Sequence, residues 1–130
     1  MNYEQALEQE LSSITALEGR VYPLASPEAK ATNGIPYLIY RSSEGQRTKT
    51  VGDGYGGDKT VQCEINVIAR RYETMKTVTE QAIDVLVGME GRTIGTGGPF
   101  IQEITYDPPV ELYEEQPKLY RCLVDFEVYF

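Results

Sequence analysis

Histidine is absent from all 130 positions, which removes the commonest general base and the commonest transition-metal ligand. Ser–His and Cys–His nucleophile arrangements are therefore impossible. The two cysteines, Cys63 and Cys122, are too few to hold zinc unaided. Both fall inside apolar alternations, where cysteine packs as a small hydrophobe, so buried free thiols are expected. The stretch Gly52-Asp53-Gly54-Tyr55-Gly56-Gly57-Asp58-Lys59-Thr60 ends in Lys-Thr after glycines, as a phosphate-binding loop does. Such a loop must lead into a helix whose N-terminus faces the phosphate, whereas Thr60 opens a strand. Asp53 and Asp58 offer oxygens to calcium, and the twelfth residue counted from Asp53 is Glu64, where a calcium loop carries its bidentate ligand. Glu64 falls in a strand, however, and the intervening oxygens are wrongly spaced. Glu111, Glu114 and Glu115 cluster near a turn, but a glycosidase needs two carboxyls across a cleft with opposed pKa shifts. A solvated acidic turn accounts for them. No catalytic residue, metal ligand or cofactor-binding residue emerges, and no cofactor is expected.

The elements that would position any site read as two helices and about four substantial strands. Tyr3, Leu7, Leu11, Ile14 and Leu17 recur at three- and four-residue steps and predict an amphipathic helix over 2–18, closed by Gly19 as a left-handed cap. Val21 to Leu24 is short and extended, because Pro23 biases Tyr22 away from helix. Residues 25–34 read as a loop. Pro36 to Arg41 reads as a strand with proline at its first residue, and Arg47 to Val51 as a possible short one. Four glycines within residues 52–57 predict a turn or mobile loop. In Thr60 to Arg71, Val61, Cys63, Ile65, Val67 and Ala69 alternate with Gln62, Glu64, Asn66, Ile68 and Arg70, which marks a strand covered on one face. A second helix over 73–89 carries Met75, Val78, Ala82, Val85, Leu86 and Met89 on one stripe. Thr93 to Gly98 is a second glycine-rich turn. Phe100 to Tyr106 reads as a strand with Phe100, Ile104 and Tyr106 on one face, broken by Asp107-Pro108-Pro109 and resumed over Val110 to Tyr113. Glu114-Glu115-Gln116-Pro117 reads as a turn. Leu119 to Phe130 closes the chain as a strand, with Tyr120, Cys122, Val124, Phe126, Val128 and Phe130 facing one way.

Short turns between successive strands favour antiparallel pairing. One apolar stripe per helix and one apolar face per strand are satisfied together when both helices pack on a single face. The expected fold is α+β: a mostly antiparallel sheet of about four main strands with two helices on one face, in a single domain spanning 1–130. A chain of this length buries roughly two-thirds of its unfolded surface and needs no staple.

Twenty acidic against twelve basic residues give a net charge of −8, and no basic cluster is present to displace phosphate counterions. Specific nucleic-acid binding is not expected. No run of about 18 apolar residues predicts a membrane span. The start, Met1-Asn2-Tyr3-Glu4-Gln5, lacks a secretory signal's basic and apolar regions, so synthesis and residence in the cytoplasm are expected. Ten tyrosines and no tryptophan place large amphipathic rings on both sheet faces: Tyr37 and Tyr40 point oppositely, and Tyr106, Tyr113, Tyr120 and Tyr129 divide likewise. Such rings on an uncovered face suit protein contacts, and they equally suit cross-strand packing on a wet face.

Three blocks in order carry a family resemblance. They are Val21-Tyr22-Pro23 with Gly34-Ile35-Pro36-Tyr37-Leu38-Ile39-Tyr40; Val61-Gln62-Cys63-Glu64-Ile65-Asn66-Val67 running through Arg71-Tyr72 into the second helix; and Lys118-Leu119-Tyr120-Arg121-Cys122-Leu123-Val124-Asp125-Phe126-Glu127-Val128-Tyr129. With the N-terminal helix they cover nearly the whole chain, which resembles the tail-completion or tail-terminator proteins of long-tailed phages. The resemblance implies a non-enzymatic virion protein that forms a homo-oligomeric ring, a hexamer in the assembled tail, located at the tail or neck after assembly in the host cytoplasm. It implies a tail-tube protein and a head connector protein as partners, with DNA passing through the ring and no membrane contact. The family supplies no catalytic residue. Protein-interface positions are expected at Asp53, Gly54 and Tyr55 and at Tyr113, Glu114 and Glu115, since irregular loops often order on contact. Acidity accounts for solubility by itself, and in such a ring it would also keep passing DNA from adhering. The rival expectation is a small-molecule- or peptide-binding α+β module without catalytic activity.

Overall fold

The computed structural model describes residues 2–23, 36–42, 46–50, 54–115 and 118–130, with the side chains of 46–50 and 54–58 left aside. Helix α1 runs Tyr3–Leu11. Asn2 caps it: its Oδ1 accepts from the Gln5 amide at 2.8 Å, and Gln5 Oε1 accepts from the Asn2 amide at 3.1 Å, a reciprocal capping box. The expected helix over 2–18 stops early. The Ser13 hydroxyl donates to the Glu10 carbonyl at 2.7 Å, a local bond that competes with helix continuation. A 3-10 turn follows at Thr15–Leu17, so Ile14 and Leu17 still reach the core. Glu18 and Gly19, at φ 48 and 78, end it in left-handed geometry.

The strands are β1 Val21–Pro23, β2 Tyr37–Ser42, β3 Gln46–Thr50, β4 Gly54–Ala69, β5 Glu103–Tyr106, β6 Val110–Glu114 and β7 Leu119–Tyr129, with helix α2 at Tyr72–Gly88 between β4 and β5. Among the described residues they form one seven-stranded sheet with central order β1-β2-β4-β7-β5; β3 joins β4, and β6 joins β7. Among the described residues only β1–β2 is parallel, and every other pair is antiparallel. The α+β class is as expected. Among the described residues the sheet has three more strands than the four substantial ones: β1, β3 and β6, of 3–5 residues, carry few alternations and read from sequence only as short or possible extended segments.

Two segments differ from expectation. Gly54 to Asp58 lie in β4, not in a turn or loop. Arg47 opposes Lys59 and Lys49 opposes Tyr55, so Gly56, Gly57 and Asp58 stand against Thr48 alone. Glycine accommodates such a bulge inside a strand. Phe100 forms only an isolated bridge to Thr93 and is largely exposed, while Ile101 beside it is buried. The strand itself begins at Glu103. The intervening turn carries Gly95 and Gly97 at positive φ, as its composition predicts.

Both helices lie on one face. Ala6, Leu7 and Leu11 of α1 and Val78, Ala82 and Leu86 of α2 share a core with Val61, Cys63, Ile65 and Val67 of β4 and Val124, Phe126 and Val128 of β7. Met75, Ala69 and Cys122 form a second, smaller buried cluster. Each fully buried leucine contributes roughly 2 kcal/mol by removal of apolar area from water. Tyr40 points into this core and its hydroxyl donates to Glu8 at 3.2 Å. Tyr37, on the opposite face, is nevertheless 7% exposed, with Asn66 at 3% and Ile68 at 1%. That face is therefore not uniformly bare.

Candidate interaction surface

The sheet has two different outer margins. On one side β2 and β3 run nearly in line along β4: Ser42 opposes Cys63, and Gln46 opposes Thr60. On the other side of β4, β7 pairs only from Thr60, opposite Tyr129. The Phe130 amide donates to the Lys59 carbonyl at 2.9 Å as the last link. Beyond it, β3 and Gly54–Asp58 pair only with each other among the described residues. This is a two-stranded arm projecting past the sheet.

The opposite margin is β5 and β6, which pair with successive parts of β7. The Asp107 amide, beside Pro108-Pro109, still donates to the Asp125 carbonyl at 2.9 Å. Strand β6 pairs with β7 alone among the described residues, and Val110, Leu112 and Tyr113 on it are about half exposed. Tyr113 stacks at a tilt on Tyr120, with ring centroids 4.8 Å apart, and Tyr72 meets Tyr120 edge-on at 5.7 Å. Lys76 Nζ donates to Glu111 at 3.1 Å and lies 5.8 Å from the Tyr72 ring centroid. Hydrogen bonds from Tyr72 and Lys76 hold the Glu111 carboxyl below the usual carboxylate range. On the far face Arg121 pairs with Glu114 at 3.1 Å. The corner thus combines an edge strand, apolar side chains and aromatic rings, the composition of protein contact surfaces.

The expected interface positions divide between these margins. Gly54 and Tyr55 lie in the arm, at the positions opposing Thr50 and Lys49; Asp53 lies outside the described residues. Tyr113 and Glu114 belong to strand β6 and Glu115 to the turn after it, so the acidic turn begins one residue later than expected. Among the described residues the two groups lie at opposite margins of the sheet. Sequence reasoning passed over Val110, Leu112, Tyr72 and Lys76. The signal available for the first two was their alternation with Glu111 and Tyr113.

The face away from the helices carries a concavity of about 550 Å³ lined in part by Arg41, Gln62, Glu64, Asp107, Asp125 and Glu127. Its lining is mainly polar and charged, unlike the apolar pockets that hold small molecules. The strongly perturbed groups lie in the core, Cys63 also bordering the concavity. Burial pushes up the Tyr3 and Tyr40 hydroxyls and the Cys63 thiol; Tyr3 Oη and Cys63 Sγ are 3.3 Å apart. These shifts follow from desolvation. Among the described residues no helix is long and apolar enough to cross a membrane.

A family model described as tail completion protein gp17 matches residues 5–130. Among solved structures, a chain described under "virion of native gene transfer agent (GTA) particle" superposes with TM-score 0.69 at 18% identity, covering 98% of this chain and 92% of that one. A second solved chain gives TM-score 0.54 at 14% identity, over 98% and 91%. At these identities the likeness shows a shared fold. No curated protein matches the sequence.

Proposed function

This chain belongs to the tail completion protein gp17 family, whose members are structural proteins of the phage tail and not enzymes, and from that premise we propose that it caps the tail tube and joins it to the head connector. In this reading residues 1–130 act as a single domain. Copies form a ring, a hexamer in the assembled tail, that sits at the tail or neck of the virion after assembly in the host cytoplasm. The tail-tube protein and the head connector protein are its partners, and DNA passes through the ring without specific binding.

The observation that carries the reading is the family match over residues 5–130. The two unlike margins of the sheet support it, because a ring requires two different contact patches on each subunit. The strip of Glu64, Asp107, Asp125 and Glu127 suits a surface that DNA must slide past, since negative potential repels phosphates. The expected contact positions Gly54, Tyr55, Tyr113, Glu114 and Glu115 remain part of the proposal.

Negative-stain microscopy of the purified protein, alone and mixed with isolated tail tubes, tests it. A six-subunit ring at one tube end is the expected result. A monomer that fails to attach to tubes contradicts it. Replacement of Tyr55 and Tyr113 by serine should weaken ring or tube binding and leave the circular dichroism spectrum unchanged.

A further inference from the structure

We propose that neighbouring copies join by strand addition, the β3 edge of one arm pairing with the β6 edge of the next copy. The inference rests on the ring reading above and names the contact that would close the ring.

The two edges match in kind and length. Each is a five-residue strand with one side bonded to its sheet and none of the described residues bonded to the other. An outer edge of unpaired amides and carbonyls is a template for another chain, and strand addition is a recurring recognition mode. The edges lie on opposite sides of β4, since β3 pairs with β4 directly whereas β6 is reached through β7. A contact between them is therefore heterologous and can propagate around a closed ring.

Charge selects this pairing over the symmetric ones. The β3 sequence Gln46-Arg47-Thr48-Lys49-Thr50 carries two cations and no anion. The β6 sequence with its following turn, Val110-Glu111-Leu112-Tyr113-Glu114-Glu115, carries three carboxylates and no cation, two of them, Glu111 and Glu114, being also paired within the chain to Lys76 and Arg121. Pairing β6 with β6 would set carboxylates against each other, and pairing β3 with β3 would do so for cations; like charges across strands are destabilising. Pairing β3 with β6 opposes unlike charges and covers the exposed Val110, Leu112 and Tyr113. The arm also gains a third strand, and a two-stranded ribbon alone is marginal in water.

A charge swap tests this. The first variant carries Arg47→Glu and Lys49→Glu; the second carries Glu114→Lys and Glu115→Lys. Each alone should lose ring formation on tail tubes, because its own edges now repel. An equimolar mixture should recover rings, because each acidic arm meets a basic β6 edge and each basic arm an acidic one. Circular dichroism and thermal melting check that both variants fold. Should the second variant melt early, single cysteines at positions 46–50 paired with single cysteines at 110–114 replace it. At least one register should then give a ladder of disulfide-linked oligomers. Rings formed by either charge variant alone, a folded mixture that stays unassembled, or no cross-link in any register while wild-type rings persist, each overturns the strand pairing and leaves the ring reading standing. A wild-type protein that forms no ring on tubes overturns both.

Discussion

Glu64 of β4 and Asp125 of β7 occupy directly opposed positions on paired strands, two acids facing each other on the sheet surface away from the helices. Glu64 accepts a hydrogen bond from Asn66 Nδ2 at 2.7 Å, and Arg41 stands 3.9 Å away. Like charges at such positions are destabilising. Asp125→Asn should therefore raise stability by about 0.5 kcal/mol, read as a higher urea midpoint at neutral pH, and the gain should shrink with added salt. A lower midpoint would mean that the acid strip stabilises the sheet in a way its register does not show.

Gly98 and Gly88 should respond oppositely to alanine. A Cβ on Gly98 would lie 2.8 Å from the Ala6 Cβ and would also meet the Ile94 carbonyl. The backbone there cannot yield cheaply, so Gly98→Ala should cost about 1–3 kcal/mol. Gly88, the last residue of α2, has nothing within 4 Å of such a Cβ. Gly88→Ala should stabilise by about 0.5 kcal/mol through helix propensity and a less flexible unfolded chain. Thermal melts of the two variants check both signs.

Glu10 ties α1 to the turn after α2. Its carboxylate accepts from the Arg92 guanidinium and, at 3.0 Å, from the Gly95 amide. The Arg92 hydrogen bond holds its pKa below the usual Glu value, and burial opposes this in part. A depressed folded-state pKa contributes stability above the unfolded value of about 4.3, lost as pH falls through the folded one. Glu10→Gln should cost about 1 kcal/mol at pH 7. It should cost much less in acid, below the folded pKa of Glu10. Urea titrations across that range measure the convergence, and a constant difference would refute the linkage.

Cys63 and Cys122 are both buried, and burial pushes both thiols up. Since the thiolate is the reactive form, a thiol reagent at pH 8 should label neither in the native protein and both in denaturant. Prompt native labelling of either would contradict its placement in the core.

Long, regular alternations were legible in the sequence. The stripe of α2 and the inward residues Val61, Cys63, Ile65, Val67 of β4 and Cys122, Val124, Phe126, Val128 of β7 could be read in advance, because burial on one face imposes the pattern. Shorter signals were not legible. The end of α1 depends on one serine hydroxyl bonding backward at Ser13. Glycines at 54–57 read as a loop because composition does not reveal the cross-strand ladder that holds a bulge open. The candidate surface was legible only as residue types. Tyr113 and Glu114 stand out by type, but their place on a strand with one side unpaired among the described residues depends on strand order, and Tyr72 joins them through tertiary contact alone.

The claim that the chain completes the tail by joining it to the head is tested most directly by deleting its gene and examining the lysate by electron microscopy. The account predicts filled heads and separate tails, with purified protein restoring joined, infectious particles when added to the mixture. Normal joined particles in its absence, or no restoration by folded protein, would contradict it.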